Sequence, residues 1–352
     1  MQLSMNRRHF LIGTAIAGAT LYTGSAGAAT GTISLTDPLP TDIPKGTKLR
    51  IADQNETNVT LLRLSGGLAE LEKDVEIEWQ NFNGNNFVLE SLRVGAADVG
   101  WGADIATAFG RAQGTELYNI GYTRNTRDYY GFYTAPGRGD ITSVSQLKGK
   151  KIAYPKGTMM SVYILKVLDV AGLKPSDVQL INIAVPDIAD AFRAGEVDAA
   201  VLVAALRLKL EAELKDEGVH LLPEGINQGS GLSPIYAVRS ALEDPGKAAA
   251  IAKFARLWTA AQLYKDDHLD EYAEAVYVKL RNYDPATARK LAGLEGKTEV
   301  PHLDANLAAE LQKSVDFMIG AGELPQGLKI ADYFDYRFDA INQAAAKEYA
   351  GL

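Results

Sequence analysis

Along this chain the apolar residues alternate between two spacings: short unbroken or alternating runs, then longer stretches in which they return every three or four positions. The pattern starts at Lys48. Residues 48–52 predict a strand, 59–71 a helix interrupted at Gly66-Gly67, and 75–79 a second strand. A β-α-β order of this kind implies parallel pairing through a right-handed crossover. A Gly/Asn turn at 83–86 leads to a helix over 87–94, a strand over 97–101 and a helix over 105–112, and strands follow over 117–122 and 129–134. After a polar break the alternation resumes, with strands over 151–154, 178–183, 198–203 and 235–239 and helices over 160–171, 188–193 and 206–215. Beyond Asp244-Pro245 the spacing is helical throughout, over 247–264, 270–282, 285–291, 303–320 and 330–345.

One passage occurs twice in form. Leu92-Arg93-Val94-Gly95-Ala96-Ala97-Asp98-Val99 returns as Phe192-Arg193-Ala194-Gly195-Glu196-Val197-Asp198-Ala199. Each copy ends a helix at a glycine suited to the left-handed region and turns into a buried strand through an Asp. The surroundings match as well, so the fold class expected is α/β, with two similar lobes between which the chain crosses twice. The C-terminal helices are expected on the first lobe.

The first residues read as a targeting segment. Arg7-Arg8 followed by Phe10-Leu11, an apolar run to about Leu21 and the small residues Ala26-Gly27-Ala28 resemble a twin-arginine export signal. The run is too short to span a bilayer comfortably. The chain has no cysteine, hence no disulfide, no thiolate chemistry and no lipid-bearing cysteine. A soluble periplasmic protein without a lipid anchor is expected. Of 352 residues, 47% are hydrophobic and 23% charged, a composition that suits a globular chain, and the formal charge of -8 argues against nucleic acid or an anionic membrane as partner.

Candidate chemistry gathers at strand ends, because ligands of open α/β sheets sit off the carboxyl ends of the strands. Those loops are 55–58, 102–104, 123–128 and 156–160. The junction Tyr154-Pro155-Lys156-Gly157-Thr158 precedes a helix, where free backbone N–H groups, a close-approach glycine and the hydroxyls of Thr158 and Ser161 can hold an anion. Arg124 and Arg127 offer fork-shaped donors to an oxyanion. Asp104 is an N-cap candidate, and alternatively can hold a ligand amine or repel a wrong anion. Met159 can add an adaptable apolar wall. No metal or cofactor site is expected: beyond the signal only His220, His268 and His302 remain, none beside a second candidate ligand at useful spacing. Gly229-Ser230-Gly231 is no nucleophile elbow, and neither a Gly-x-Gly-x-x-Gly nor a Walker pattern occurs.

Taken together, Leu49-Arg50-Ile51, the segment 92–104, Leu147-Lys148-Gly149-Lys150-Lys151-Ile152-Ala153 with Lys156-Gly157-Thr158, and the segment 191–199 resemble the solute-binding proteins of nitrate, sulfonate and taurine ABC importers. The resemblance covers residues 48–338. It implies a two-lobed, type II-like periplasmic binding protein with two crossover strands, closing over a small ligand and docking on an inner-membrane permease with its ATPase. It also implies a division into a signal at 1–28, a leader at 29–46, a first lobe at 47–135 with 240–352, and a second at 136–239. The cleft segments it implies are the loop of Asn55 and Asn58, Gly102-Ala103-Asp104, and Gly157-Thr158. The family's aromatic and acidic cluster after the second-lobe strand is not kept in Val201-Leu202-Val203-Ala204-Ala205-Leu206, with Arg207 beyond, which argues against taurine. The expected ligand is a small organic anion, an alkyl or aryl sulfonate or a sulfate ester, bound without turnover by a monomer. The alternatives are a thiamine-precursor-like pyrimidine or other heterocycle, or an exported enzyme on the same fold.

Overall fold

The computed structural model describes residues 31–125, 130–156, 158–214, 216–226 and 228–350. The twin-arginine segment lies outside them. The first sheet is seeded by β1 (Lys48–Gln54), followed by α1 (Thr57–Leu64) and α2 (Gly67–Leu71), then β2 (Glu76–Phe82), α3 (Asn85–Arg93), β3 (Val99–Trp101) and α4 (Ala106–Ala112). β4 (Leu117–Asn125) ends this run and β5 (Tyr130–Thr134) opens the second sheet, which continues through β6 (Lys151–Ala153), α5 (Met159–Val170), β7 (Gln179–Ile181), α6 (Ile188–Arg193), β8 (Ala199–Val203) and α7 (Ala204–Glu213). β9 (Leu232–Val238) returns to the first sheet.

The helices α8 (Arg239–Leu242), α9 (Pro245–Asp267), α10 (Leu269–Tyr272) and α11 (Pro285–Leu294), the strand β10 (Thr298–Glu299), and the helices α12 (Ala305–Gly320) and α13 (Asp339–Ala350) complete the chain. Between α10 and α11 the residues Ala273–Leu280 form a π-helix. The expected helix over 330–345 is instead two short 3-10 turns, Ile330–Tyr333 and Tyr336–Phe338, before α13. The interruption has a local cause: Phe334 bridges to Asn119, the Asp335 N–H donates to the Asn119 carbonyl, and the Asp335 side chain accepts from the Arg337 N–H.

The first sheet has the order β10-β4-β9-β3-β1-β2 and the second β5-β8-β6-β7. β1 pairs in parallel with β2 and β3, and β6 in parallel with β7 and β8. Each sheet also receives one antiparallel strand that arrives from the other, β9 beside β3 and β5 beside β8. Both passages lie earlier than the expected boundaries. Tyr130–Thr134, expected with residues 47–135, pairs in the second sheet, and Leu232–Val238, expected with 136–239, pairs in the first. Both are apolar strands with the same period, so their composition carries no mark of the sheet they join.

Gly95 and Gly195 take the expected left-handed conformation, with φ of 70° and 66°. In each turn the residue after the glycine returns its N–H to the preceding helix, Ala96 to the Ser91 carbonyl and Glu196 to the Ala191 carbonyl. The longest helix, α9, lies against α1, α2 and α13, and buries Trp258 completely beneath them. The C-terminal helices also reach the second sheet's layer, where α12 packs on α5 and α11 on α7.

Candidate ligand-binding site

The carboxyl ends of β1 and β3 are tied into one rigid rim. Asp53, almost fully buried, accepts at Oδ1 from the Gln54 and Asn58 N–H groups (2.8 and 3.2 Å) and from the Trp101 indole (2.6 Å), and at Oδ2 from the Val59 N–H (2.9 Å). It thereby takes up first-turn N–H groups of α1, which sequence spacing alone did not single out. Burial pushes its carboxyl up despite these bonds. Gln54 Nε2 donates to the Trp101 carbonyl (2.8 Å), which joins the end of β1 to the end of β3, where the loop 102–104 begins. That loop is pinned in turn by Asn85, whose Oδ1 accepts from the Tyr236 hydroxyl at 3.0 Å and from the Ala103 N–H at 3.4 Å. Gly102 is required by the same contact: a Cβ there would lie 1.7 Å from Asn85 Oδ1 and 2.9 Å from the Tyr236 hydroxyl oxygen.

Asp104 closes the rim and is completely buried. Its carbonyl accepts from the Tyr122 hydroxyl (2.9 Å) and its Oδ2 from the Ser230 hydroxyl (2.7 Å). Its Oδ1 is buried with no hydrogen-bond partner among the described residues. Burial drives this carboxyl above its ordinary range, opposed first by the charge of Lys166 on α5. The Asp104 loop of the first sheet and α5 of the second are therefore close enough to act on one another electrostatically.

At the start of α5 the two hydroxyls serve the helix itself. Thr158 is the N-cap: its Oγ1 donates to the Pro155 carbonyl at 2.7 Å and accepts from the Ser161 N–H at 3.4 Å, and the Ser161 hydroxyl donates to the Thr158 carbonyl at 2.6 Å. The Thr158 carbonyl also accepts from the N–H groups of Ser161 and Val162. Among the described residues the first-turn amides of Met159 and Met160 have no acceptor. Met159 is half-buried against the core.

The other expected residues divide. Asn55, in the left-handed region, stands on a cavity of 450 Å³ together with Glu56, Asn81, Leu280, Arg281 and Tyr283. Asn58 turns instead into the core, where its Oδ1 accepts from the Trp258 indole (2.9 Å) and from Gln262 (3.0 Å). Arg124 is paired with Glu310 of α12 at 2.7 Å, so its guanidinium already has an acid. Arg127 and Gly157 lie outside the described residues. The residues that sequence reasoning missed are chiefly Asn81 and the run Arg281-Asn282-Tyr283. The first is a strand-end amide with no motif around it, and the second reads as the tail of a helix until the chain folds it back against the strand ends.

Among the described residues no helix is long and apolar enough to cross a membrane, and none group as a metal-binding cluster. Two mixed sheets, each with a parallel core and each receiving an antiparallel strand from the other, define the periplasmic binding protein fold. The alkanesulfonate-binding protein SsuA from Xanthomonas axonopodis pv. citri, bound to MOPS, superposes with a TM-score of 0.71 over 83% of this chain and 99% of that one, at 22% identity. A family profile described as NMT1/THI5 like matches residues 71–256, and the chain belongs to that family. A candidate aliphatic sulfonates-binding protein of Escherichia coli (strain K12) is 30% identical over 199 residues, 56% of this chain and 61% of that relative's length. A second candidate of the same name, from Bacillus subtilis (strain 168), is 25% identical over 86% of this chain and 90% of its own length.

Proposed function

We propose that the protein is exported to the periplasm, binds a small organic anion there, an alkyl or aryl sulfonate or a sulfate ester, and delivers it to the inner-membrane permease and ATPase of an ABC importer. Binding without chemical change is the role. The observation that carries the reading is the start of α5, where the first-turn amides of Met159 and Met160 have no acceptor among the described residues and suit negative charge. The charge of Lys166 on the same helix acts on Asp104, a buried carboxyl that burial raises above its ordinary range. The names of the relatives supply the sulfonate. Closure of the two sheets toward one another would bury the ligand and present one surface to the permease.

One observation favours a second reading: the Oδ1 of Asp104, without a hydrogen-bond partner among the described residues, suits a ligand that donates a hydrogen bond, such as a pyrimidine or other heterocycle. Calorimetric titration with butanesulfonate, benzenesulfonate, an alkyl sulfate, taurine, nitrate and an aminopyrimidine separates the two. Binding of the sulfonates in preference to taurine and the pyrimidine is the expected result. Binding of the pyrimidine alone overturns it, and a ligand recovered chemically altered points to an exported enzyme.

A further inference from the structure

We propose that Lys166 is the cation that receives the ligand's oxyanion, together with the amides of Met159 and Met160 at the start of α5. This inference rests on the anion-binding reading above and names the side chain that supplies the charge.

Lys166 stands seven residues after Met159 in α5, which places the two on one face of the helix, two turns apart. The rise between them is about 10 Å, and the side chain of a helical residue leans toward the helix N-terminus. A lysine extended in that direction, with an oxyanion between its ammonium and the Met159 and Met160 N–H groups, fills that length.

The ammonium is uncommitted. Lys166 is half-buried, yet among the described residues its side chain makes no ion pair and no hydrogen bond. The other cations near this junction are placed differently: Lys156, on the loop before the helix, is exposed, and Arg124 at the end of β4 is salt-bridged to Glu310 at 2.7 Å. A half-buried charge without an acid is one that an anion completes.

Across from Lys166 lies the loop after β3. Asp104 is completely buried there, with its Oδ2 accepting from the Ser230 hydroxyl at 2.7 Å and its Oδ1 without a partner among the described residues. Burial raises this carboxyl, and the charge of Lys166 is the largest effect that opposes the rise, so the two groups are near one another without closing an ion pair. A sulfonate oxygen between them meets the ammonium on one side and, on the other, a carboxyl that as the neutral acid donates a hydrogen bond. Glu310 also acts on Asp104, but its charge is answered by Arg124. One lysine and one helix start suit a single negative charge. Met159 and Tyr130, both half-buried, offer apolar surface to an organic tail, and Tyr130 packs on Tyr163 of α5 with ring centroids 5.5 Å apart.

The test is calorimetric titration of the wild type, Lys166→Met, Lys166→Gln and Lys166→Arg with butanesulfonate and benzenesulfonate, beside ligand-free melting of each. Methionine keeps much of the apolar stem and loses the charge. We expect Lys166→Met and Lys166→Gln to weaken sulfonate binding by roughly tenfold or more with melting little changed, and Lys166→Arg, which keeps the charge, to stay within about threefold of the wild type. Should Lys166→Met not fold, Lys166→Gln decides. Sulfonate binding by the wild type that neither neutral variant weakens overturns the role of Lys166 and leaves the anion-binding reading standing. A loss as large in Lys166→Arg as in the neutral variants overturns it too, because shape rather than charge would then set the affinity. A wild type that binds neither sulfonate overturns both.

Discussion

Asp98 and Asp198 hold equivalent places in the two sheets: Asp98 Oδ2 accepts from the Arg50 N–H of β1 at 3.0 Å, and Asp198 Oδ2 from the Lys151 N–H of β6 at 2.8 Å. Each is also salt-bridged to an arginine, Asp98 to Arg50 and Asp198 to Arg138. Each carbonyl then accepts from the end of the strand that arrives from the other sheet, Asp98 from the N–H of Val238, the last residue of β9, and Asp198 from the N–H of Ala135, just past β5. The duplicated turn is therefore a joint that fastens the central strand, its parallel neighbour and the arriving strand at one point. Two copies of it give the two sheets the same plan.

Asp98→Asn is expected to destabilise the protein by about 1–3 kcal/mol, since it weakens charge-assisted bonds from Arg50 and Lys247. Burial opposes ionisation of Asp98, yet those bonds together hold its carboxyl below the usual range. A depressed native pKa contributes stability above the unfolded value and loses it as pH falls through the native one. Urea unfolding at neutral and acid pH should therefore show the wild-type advantage shrinking below about pH 4. A variant as stable as the wild type at neutral pH would remove Asp98 from the joint.

The pair Lys265–Glu295 is more deeply placed, with side-chain exposures of 3% and 11%. Glu295 Oε1 also accepts from Tyr272 and Tyr277, and Lys265 reaches Asn125 at the end of β4. Although burial pushes the Glu295 carboxyl up, Lys265 and the tyrosine hydroxyls bring it below the usual range. Breaking such a pair leaves a buried ammonium uncompensated, so Glu295→Gln is expected to cost roughly 3–5 kcal/mol in denaturant unfolding. A loss below about 1 kcal/mol would mean that water reaches Lys265.

Much of the fold was legible because its signals are local. The alternation of two apolar spacings gave nearly every strand and helix, and the glycines at 95 and 195 marked both joints. Sheet membership was not legible at 130–134 or 232–238, since pairing partners are chosen over long sequence distance by packing. The candidate site was harder. Gly102, Ala103 and Asp104 lie in the loop after β3, whereas Asn58 and Arg124 have chemistry that serves a core and an ion pair as readily as a ligand.

Thr158→Val separates a cap from a ligand donor. The Thr158 hydroxyl donates to the Pro155 carbonyl and accepts from the Ser161 N–H, so it is already used within its own turn. The expected loss is about 1 kcal/mol of stability, the usual cost of an N-cap, with sulfonate affinity changed by less than about twofold. Thr158→Ser, which keeps the hydroxyl, should recover most of that stability. An affinity loss of tenfold in the valine variant without loss of stability would make the hydroxyl a ligand donor instead.

Asp104 carries the opposite pH signature from Asp98. Burial raises its native pKa above the unfolded value, and the Lys166 charge and the Ser230 hydroxyl offset this without reversing it. The native state then binds the proton more readily than the unfolded chain, so stability falls as pH rises from the unfolded pKa through the native one. Asp104→Asn keeps an acceptor for Ser230 and removes the titration. Its stability relative to the wild type is expected to improve as pH rises above about 4 in urea unfolding. Over the same range the wild-type affinity for a sulfonate should decline as the carboxyl ionises, while that of the variant stays level. A stability difference that is flat with pH would show that the carboxyl titrates alike in both states, and that the rim offers an anion a charged aspartate at every working pH.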